Sequence, residues 1–265
     1  MAETPERFSV GLAAWQQWQE APWGRIRYTV AEANLVSHLE SLGEERLRIL
    51  DLAGGDGGDA IRLAAQGHHI TIVDHAPAML AAADQRAAAA GLTDRIVCVE
   101  ADVSALPRDI TAARFDVVLC HNLLAYTDDV TATLRAALTP LAPGGLLSVI
   151  ATNQYSAALN VAVREMDPAA ALAALASDQA RTQTFDSALT LHTAEKIIAI
   201  LEELGCGRVD HFGIRSFCDY IIDDDRKDES AFYADLERLE LAVTHRHPYM
   251  HTARLFQLIT RTRDR

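Results

Sequence analysis

An aspartate followed by a glycine-rich run is the part of this sequence with the clearest chemical use. The run Asp51-Leu-Ala53-Gly54-Gly55-Asp-Gly57 follows a short apolar segment and leads into a helical pattern. Glycines at such a turn let the backbone bend sharply and let a ligand approach without a Cβ in the way. The run indicates a nucleotide-like ligand, although dinucleotide-binding enzymes share such glycines.

Two later acids narrow the kind of ligand. Asp74 ends the second apolar segment about 20 residues further on, where a carboxylate can accept hydrogen bonds from both hydroxyls of a ribose. Asp102 follows the third apolar segment and is placed to bind the exocyclic amine of an adenine. Their neighbours His75, Ala101 and Val103 complete the expected nucleotide site.

The elements that must position these residues alternate regularly. Short apolar segments predict strands at 47–51, 69–74, 95–100, 115–121, 146–152, 208–217 and 253–261. Helical patterns separate the first five strands, and such alternation implies right-handed crossovers and parallel strands. We therefore predict an α/β fold with a Rossmann-like, mainly parallel seven-stranded sheet that carries helices on both faces.

Two segments outside this alternation complete the predicted architecture. Residues 1–42 have helical spacing, interrupted by a turn at Pro22-Trp23-Gly24. Residues 155–190 are rich in alanine, and we predict that they form a helical cap inserted after strand five. Because no linker is evident, we treat residues 1–265 as a single domain.

Composition and charge limit the classes of partner. Hydrophobic residues make up 49% of the 265, yet no apolar run approaches the roughly 20 residues that span a bilayer. The N-terminus lacks the pattern of a signal peptide, so we expect a cytoplasmic location. Four scattered cysteines predict neither a disulfide framework nor a metal site. A formal net charge of −13 disfavours a large polyanionic partner.

Together, the acid, the glycines and the two later acids resemble the class I S-adenosylmethionine (SAM)-dependent methyltransferases from about Leu47 to Thr152. Alanine stands at Ala53, where the family pattern has its first glycine. The rival class, the NAD(P) dehydrogenases, usually has Gly-x-Gly-x-x-Gly, but here Ala60 takes the last place. The resemblance implies SAM as cofactor, S-adenosylhomocysteine (SAH) as product, and Asp51 to Gly57 as part of the cofactor site.

A narrower resemblance, to the bacterial tRNA 5-carboxymethoxyuridine methyltransferase family, extends over most of the chain. It depends on Gly24-Arg-Ile-Arg27, on Leu119-Cys-His121, on the segment from Gly213 to Tyr220, and on Pro248-Tyr249. The resemblance implies that Arg27 holds the carboxylate of SAM and that His121 lies at the cofactor. Since His121 also ends a predicted strand at the ligand-binding edge, it is our candidate for a general base.

Three residues are candidates for the acceptor pocket: Tyr126, Arg215 and Tyr249. An arginine that faces the cleft would hold an acidic acceptor, but Arg215 could instead pair with Asp219. Both tyrosines could equally be packing residues. The histidines between His245 and His251 fit no standard metal-ligand spacing, so we predict no metal.

These observations lead to three functional hypotheses. The first is a SAM-dependent methyltransferase that acts on a small or carboxylate-bearing acceptor. The second is esterification of a carboxymethyl group on a wobble uridine of tRNA, which the net charge disfavours. The third, a minor alternative, is a non-catalytic regulatory subunit that binds SAM. The identity of the acceptor, the atom methylated and the oligomeric state stay open.

Overall fold

A computed structural model describes residues 5–182, 184–185 and 187–262. Seven strands form its main sheet, namely β1 (Arg48–Leu52), β2 (His69–Asp74), β3 (Ile96–Glu100), β4 (Phe115–His121), β5 (Leu141–Thr152), β8 (Cys206–Ile214) and β9 (Leu255–Thr262). Their order is β3-β2-β1-β4-β5-β9-β8. The strands from β3 to β5 are parallel, whereas β9 is antiparallel to both of its neighbours. The predicted seven-stranded, mainly parallel sheet is therefore confirmed.

Helices surround this sheet, and a small hairpin lies outside it. The helices are α1 (Pro5–Glu20), α2 (Pro22–Glu40), α3 (Gly58–Ala65), α4 (Pro77–Ala89), α5 (Arg108–Ala112), α6 (Val130–Leu138), α7 (Gln154–Asn160), α8 (Pro168–Leu175), α9 (Ala194–Glu203), α10 (Ser230–Val243) and α11 (Tyr249–Thr252). The hairpin pairs β6 (Gln179–Thr182) with β7 (Ser187–Thr190). Within the described part of the chain, no helix is long and apolar enough to span a membrane.

Side chains of the central strands alternate between two hydrophobic cores. Ile49 and Ile72 pack with α2, α3 and α4 on one face, while Leu50 and Val73 pack with α5, α6 and α9 on the other. Alternation follows from the pleat of a strand, which directs successive side chains to opposite faces. Strands buried on both faces need nearly continuous apolar sequence, and this explains why they could be located from the sequence.

The segment predicted as a helical cap is helical only in its first half. Beyond Leu175, Gln179–Thr182 pairs with Ser187–Thr190 as β6 and β7, so the prediction of a helix throughout 155–190 is wrong at these residues. Burial alternates along β7, with Ser187 and Leu189 buried and Ala188 exposed, which is the period of a strand. The preceding helices are rich in alanine, and the change from a helical to a strand-like pattern is too short to stand out from that composition.

Chain order reverses between two adjacent strands of the sheet. From β1 the chain moves outward through β2 and β3, and then returns to place β4 on the other side of β1. Ligands of open α/β sheets bind beyond the carboxyl ends of the strands at such a reversal. Asp51 and His121, at the ends of β1 and β4, therefore mark the expected position of the site.

Candidate active site

A cavity of about 1230 Å³ opens at this edge of the sheet. It exceeds the roughly 300–1,000 Å³ typical of a pocket for one small ligand, so it has room for two molecules. The structure brings most of the predicted site residues to its walls: Arg27, Asp51, Ala53, Gly54, Gly55, Asp74, His75, Ala101, Asp102, Val103, His121, Tyr126 and Arg215. Gly57 and Tyr249 do not line it.

The glycine-rich turn between β1 and α3 forms a cradle at one end of the cavity. Ala53, Gly55 and Gly57 all have positive φ angles, of 55°, 56° and 77°. A Cβ added to Gly54 would lie 2.7 Å from the carboxyl carbon of Asp51, whereas a Cβ on Gly55 would meet no atom of the described residues within 4 Å. Glycine is required at position 54 because a side chain would not fit there, and it is favoured at position 55 because the φ angle is positive. The surface beside Gly55 is open to a ligand.

Two carboxylates stand at the rim of this cradle. The carboxylate of Asp74 accepts hydrogen bonds from the backbone N–H of Gly55 at 2.9 Å and of Ala76 at 2.8 Å. Asp102 accepts from the backbone N–H of Ser104 at 2.7 Å and from its hydroxyl at 2.6 Å, and these bonds lower the pKa of Asp102. An ionised carboxylate has about four acceptor positions, so both groups retain capacity for a ligand.

Arg27 and His121 meet at a carboxylate that was not among the residues predicted from sequence. Nη1 of Arg27 donates to Asp59 at 2.5 Å, and Nδ1 of His121 lies 2.9 Å from the other carboxylate oxygen. Burial raises the pKa of Asp59, but the charges and hydrogen bonds of Arg27 and His121 outweigh it and hold that pKa well below its usual range. Asp59 follows the glycine run in the first turn of α3, where an acid is favoured by the helix dipole.

The second nitrogen of His121 is also bound within the protein. Its Nε2 lies 2.9 Å from the hydroxyl of Ser148, which accepts from the side-chain amide of Gln257 at 3.1 Å. Gln257 in turn accepts from the amide of Asn34 at 3.0 Å. Every bond in this chain has one donor and one acceptor if Nδ1 of His121 carries the proton and donates it to Asp59, while Nε2 accepts from the hydroxyl of Ser148. The chain of bonds therefore favours one neutral tautomer of His121.

We expect His121 to become protonated at a lower pH than an ordinary histidine. Burial lowers its pKa, although Asp59 opposes this change. Since an unfolded chain protonates the histidine near pH 6.5 and the folded protein does so only at lower pH, this group reduces stability as the pH falls below about 6.5. Nitrogen-15 NMR of histidine-labelled protein, followed over a range of pH, should show the Nδ1–H tautomer of neutral His121 and a protonation midpoint below that of an ordinary histidine. Titration of His121 near or above pH 6.5 would contradict this assignment.

Arg215 was predicted either to pair with Asp219 or to face the cleft, and in the structure it does both. Its φ angle of 65° ends β8, and its Nε donates to Asp219 at 2.7 Å while Nη2 donates to the other oxygen of the same carboxylate. The arginine nevertheless lines the cavity, 5.6 Å from the ring of Trp18. The buried carboxylate of Glu240 accepts hydrogen bonds from the backbone N–H groups of residues 216–218 and so holds this turn.

The two tyrosines proposed for the acceptor pocket have different surroundings. Tyr126 lines the cavity and makes an edge-to-face contact with Phe8 at 5.4 Å. Tyr249 is 40% exposed and packs against Phe217 at 5.3 Å, away from the cavity lining. Of the two tyrosines, only Tyr126 lies where it could contact an acceptor in the cavity.

Helix α1 covers the cavity with aromatic rings that were not assigned to the site from sequence. Phe8, Trp15 and Trp18 line the cavity, and Trp15 stacks on Trp18 with ring centroids 4.9 Å apart. The indole of Trp15 and the amide of Gln19 donate to the buried carboxylate of Asp56 at 3.0 and 2.7 Å. Asp56 thereby ties α1 to the glycine-rich turn. The spacing of the tryptophans predicts a helix but not its partner.

Comparisons with known proteins agree with this geometry. Residues 49–145 match a family described as a methyltransferase domain. The tRNA 5-carboxymethoxyuridine methyltransferase of Escherichia coli K12 is 27% identical over 90% of this chain and 88% of its own length. A ubiquinone biosynthesis O-methyltransferase of Xylella fastidiosa is 33% identical, over 44% of this chain and 46% of its own.

Solved structures share the fold at low sequence identity. A SAM-dependent methyltransferase from Thermotoga maritima, a possible histamine N-methyltransferase, has a TM-score of 0.64 and 14% identity, with coverage of 97% of this chain and 99% of the other. Magnesium protoporphyrin IX methyltransferase from Synechocystis has a TM-score of 0.61 and 14% identity, covering 96% of this chain and 94% of the other. At such identities the likeness concerns the fold.

The protein is a class I SAM-dependent methyltransferase, and SAM is its cofactor. The site fits this cofactor, because the open surface beside Gly55 and the spare acceptor positions of Asp74 suit an adenosine group. The Nε atom of Arg27 is buried and has no hydrogen-bond partner within the described part of the chain, so this guanidinium still has donors for an anionic group.

Proposed function

We propose that this enzyme methylates a carboxylate oxygen of its acceptor and so forms a methyl ester. The observation that carries the proposal is the state of His121, whose two ring nitrogens both lie at hydrogen-bond distance from protein groups. A phenol, alcohol or amine acceptor needs a base to remove its proton, whereas a carboxylate needs none. With His121 bound to Asp59 and Ser148, the acceptor that suits this site arrives already ionised.

In this proposal, the chain's own residues bind and orient the cofactor. Asp74 accepts hydrogen bonds from the ribose hydroxyls, Asp102 accepts one from the adenine amine, and Arg27 donates to the carboxylate. When bound, SAM would supply a methyl group on a positively charged sulfur. Transfer to a carboxylate oxygen would form an O–CH₃ bond as the C–S bond breaks, with the electron pair left on sulfur, so no residue would have to remove a proton. Rate enhancement then comes from alignment and from exclusion of water.

Arginines on the acceptor side support an anionic acceptor. Arg215 and Arg254 both line the cavity, and a guanidinium matches the geometry of a carboxylate. The Escherichia coli relative, similar over nearly the whole chain, is named for an acceptor with a carboxymethoxy group. The cavity's 1230 Å³ leaves space for such an acceptor beside the cofactor.

An assay on a cell extract tests the proposal across many acceptors at once. Methyl-labelled SAM and the purified enzyme are incubated with a small-molecule cell extract, before and after its carboxylates are amidated with a carbodiimide and glycinamide. We expect label transfer to the untreated extract and at least a roughly tenfold lower transfer to the amidated one. Equal transfer to both extracts would exclude a carboxylate acceptor.

A tRNA acceptor is the second candidate, favoured by the 27% identity over 90% of the chain. The net charge of −13 opposes it, and Arg164, an arginine at the cavity, is ion-paired with Asp224 at 2.5 Å. An electrophoretic shift with bulk tRNA at low salt separates the two candidates. Because phosphate contacts are strongest at low salt, absence of a shift there would exclude the tRNA candidate.

A further inference from the structure

Arg254 differs from the other arginines of the cavity in lacking a side-chain partner among the residues that the structure describes. It lies one residue before β9, lines the cavity, and is half-buried in its wall. Within the described part of the chain, its guanidinium makes no hydrogen bond or ion pair, although its backbone N–H donates to Arg215 and its carbonyl accepts from Asn153. By contrast, Arg164 and Arg215 are paired with Asp224 and Asp219.

The charges around Arg254 leave one cation in excess. The acid that acts on it electrostatically is Asp219, and both oxygens of that carboxylate already accept from Arg215. Two guanidinium groups therefore share one carboxylate. Burial lowers the pKa of Arg254, and the charge of Arg215 acts in the same direction. A partly desolvated charge without a partner costs stability unless something else compensates it.

The two arginines also differ in the donors they can offer. Arg215 already uses Nε and Nη2 on Asp219, and only the remaining N–H groups are available to a ligand. Arg254 retains the whole planar fork, which matches a carboxylate with two parallel hydrogen bonds. Arg254 is thus the better placed of the two to bind an anion, while the Arg215–Asp219 pair forms the wall beside it.

We propose that Arg254 binds the carboxylate of the methyl acceptor. The inference rests on the proposed function, since it assigns the residue that recognises the carboxylate undergoing methylation. In this role Arg254 touches the substrate, whereas Asp219 keeps Arg215 oriented and prevents it from competing for the same position. The class of ligand is a small organic monocarboxylate.

Binding of plain carboxylates tests the assignment. Acetate, benzoate and phenoxyacetate are titrated into the SAH-saturated enzyme at constant ionic strength, with methyl phenoxyacetate as the uncharged control, and binding is followed by melting temperature and tryptophan fluorescence. We expect saturable binding of at least one acid, and at least about tenfold weaker binding of that acid by Arg254→Met. The ester should bind both proteins alike, and SAH affinity should not change.

Two further variants keep the test decisive. Arg254→Lys retains the charge and should recover part of the acid affinity, whereas Arg208→Met removes an exposed arginine of β8 and should leave acid binding unchanged. Because Arg254 has no side-chain partner among the described residues, Arg254→Met should melt no earlier than the wild type. Three results would each overturn the proposal. They are a wild type that binds no acid, an Arg254→Met variant that binds the acid as tightly as the wild type, and a lower melting temperature of Arg254→Met, which would mark Arg254 as structural.

Failure of this assignment can be told apart from failure of the proposed function. If carboxylate-dependent methylation of the extract persists in Arg254→Met with an unchanged KM, esterification stands and the assignment of Arg254 is wrong. If acid binding depends on Arg254 but methylation does not depend on acceptor carboxylates, the anion site stands and the proposed function is wrong.

Discussion

Replacing Arg27 with methionine is expected to lower the free energy of unfolding by about 3–5 kcal/mol and to reduce SAH affinity at least about a hundredfold. Arg27 is only 2% exposed and donates to Asp59 at 2.5 Å. Its removal leaves the partly buried carboxylate of Asp59 beside His121 without its main compensating charge. The loss of stability follows from that uncompensated charge, and the loss of affinity from the missing donors for the cofactor.

A double-mutant cycle separates these two effects. Asp59→Asn removes this partly buried negative charge, so the double variant Arg27→Met with Asp59→Asn should regain stability relative to Arg27→Met alone. It should not regain SAH affinity, because the guanidinium is still absent. Denaturant unfolding and calorimetry measure the two quantities. Additive losses of stability across the cycle would refute the coupling, and recovered SAH binding would show that Arg27 acts only through Asp59.

Replacing Asp74 with alanine is expected to weaken SAH binding about 10- to 100-fold. The carboxylate offers acceptor positions to the ribose, and it also holds the backbone N–H of Gly55 at 2.9 Å. Loss of the side chain removes both the ligand contact and the restraint on the glycine-rich turn. Asp74→Asn keeps one acceptor oxygen without the charge, so we expect an intermediate affinity from it.

Calorimetry with SAH measures this effect, and a second aspartate supplies the control. Asp94→Ala makes the same change in net charge at an exposed position before β3 and should not alter SAH affinity. An affinity of Asp74→Ala within about twofold of the wild type would mean that this carboxylate does not contact the cofactor.

Much of the fold could be predicted from sequence because its main signal is local. Central strands such as β2 and β4 are buried on both faces, so they require apolar runs that stand out between helical patterns. The β6–β7 hairpin was missed because each of its strands has only four residues, too few for a period-two pattern to emerge from an alanine-rich context.

The cofactor end of the site was predictable for a related reason. Asp51, Gly55 and Asp74 lie at or just beyond the ends of predicted strands, and parallel strands place their carboxyl ends at one edge of the sheet. Position along a strand therefore implied position in space. The same reasoning assigned His121 to this edge but could not show that both of its nitrogens are bound.

Residues that act through distant partners could not be assigned from sequence. Ser148 and Gln257 are polar residues within buried strands, and a polar residue in such a strand indicates a specific role. Their partners cannot be inferred from sequence, because only the pairing of β5 with β9 brings them together beneath His121. Arg254 becomes notable only once Asp219 is seen to be occupied by Arg215. Tyr249 was expected at the pocket, but α11 instead leaves it exposed against Phe217.

The chemical nature of the methylated product tests the account most directly. Product labelled from methyl-tritiated SAM is isolated and treated with dilute alkali, and volatile methanol is collected. Methyl esters hydrolyse under these conditions, whereas methyl ethers, N-methyl groups and C-methyl groups do not. We predict release of nearly all the label as methanol. Label that stays with the acceptor would contradict carboxylate methylation.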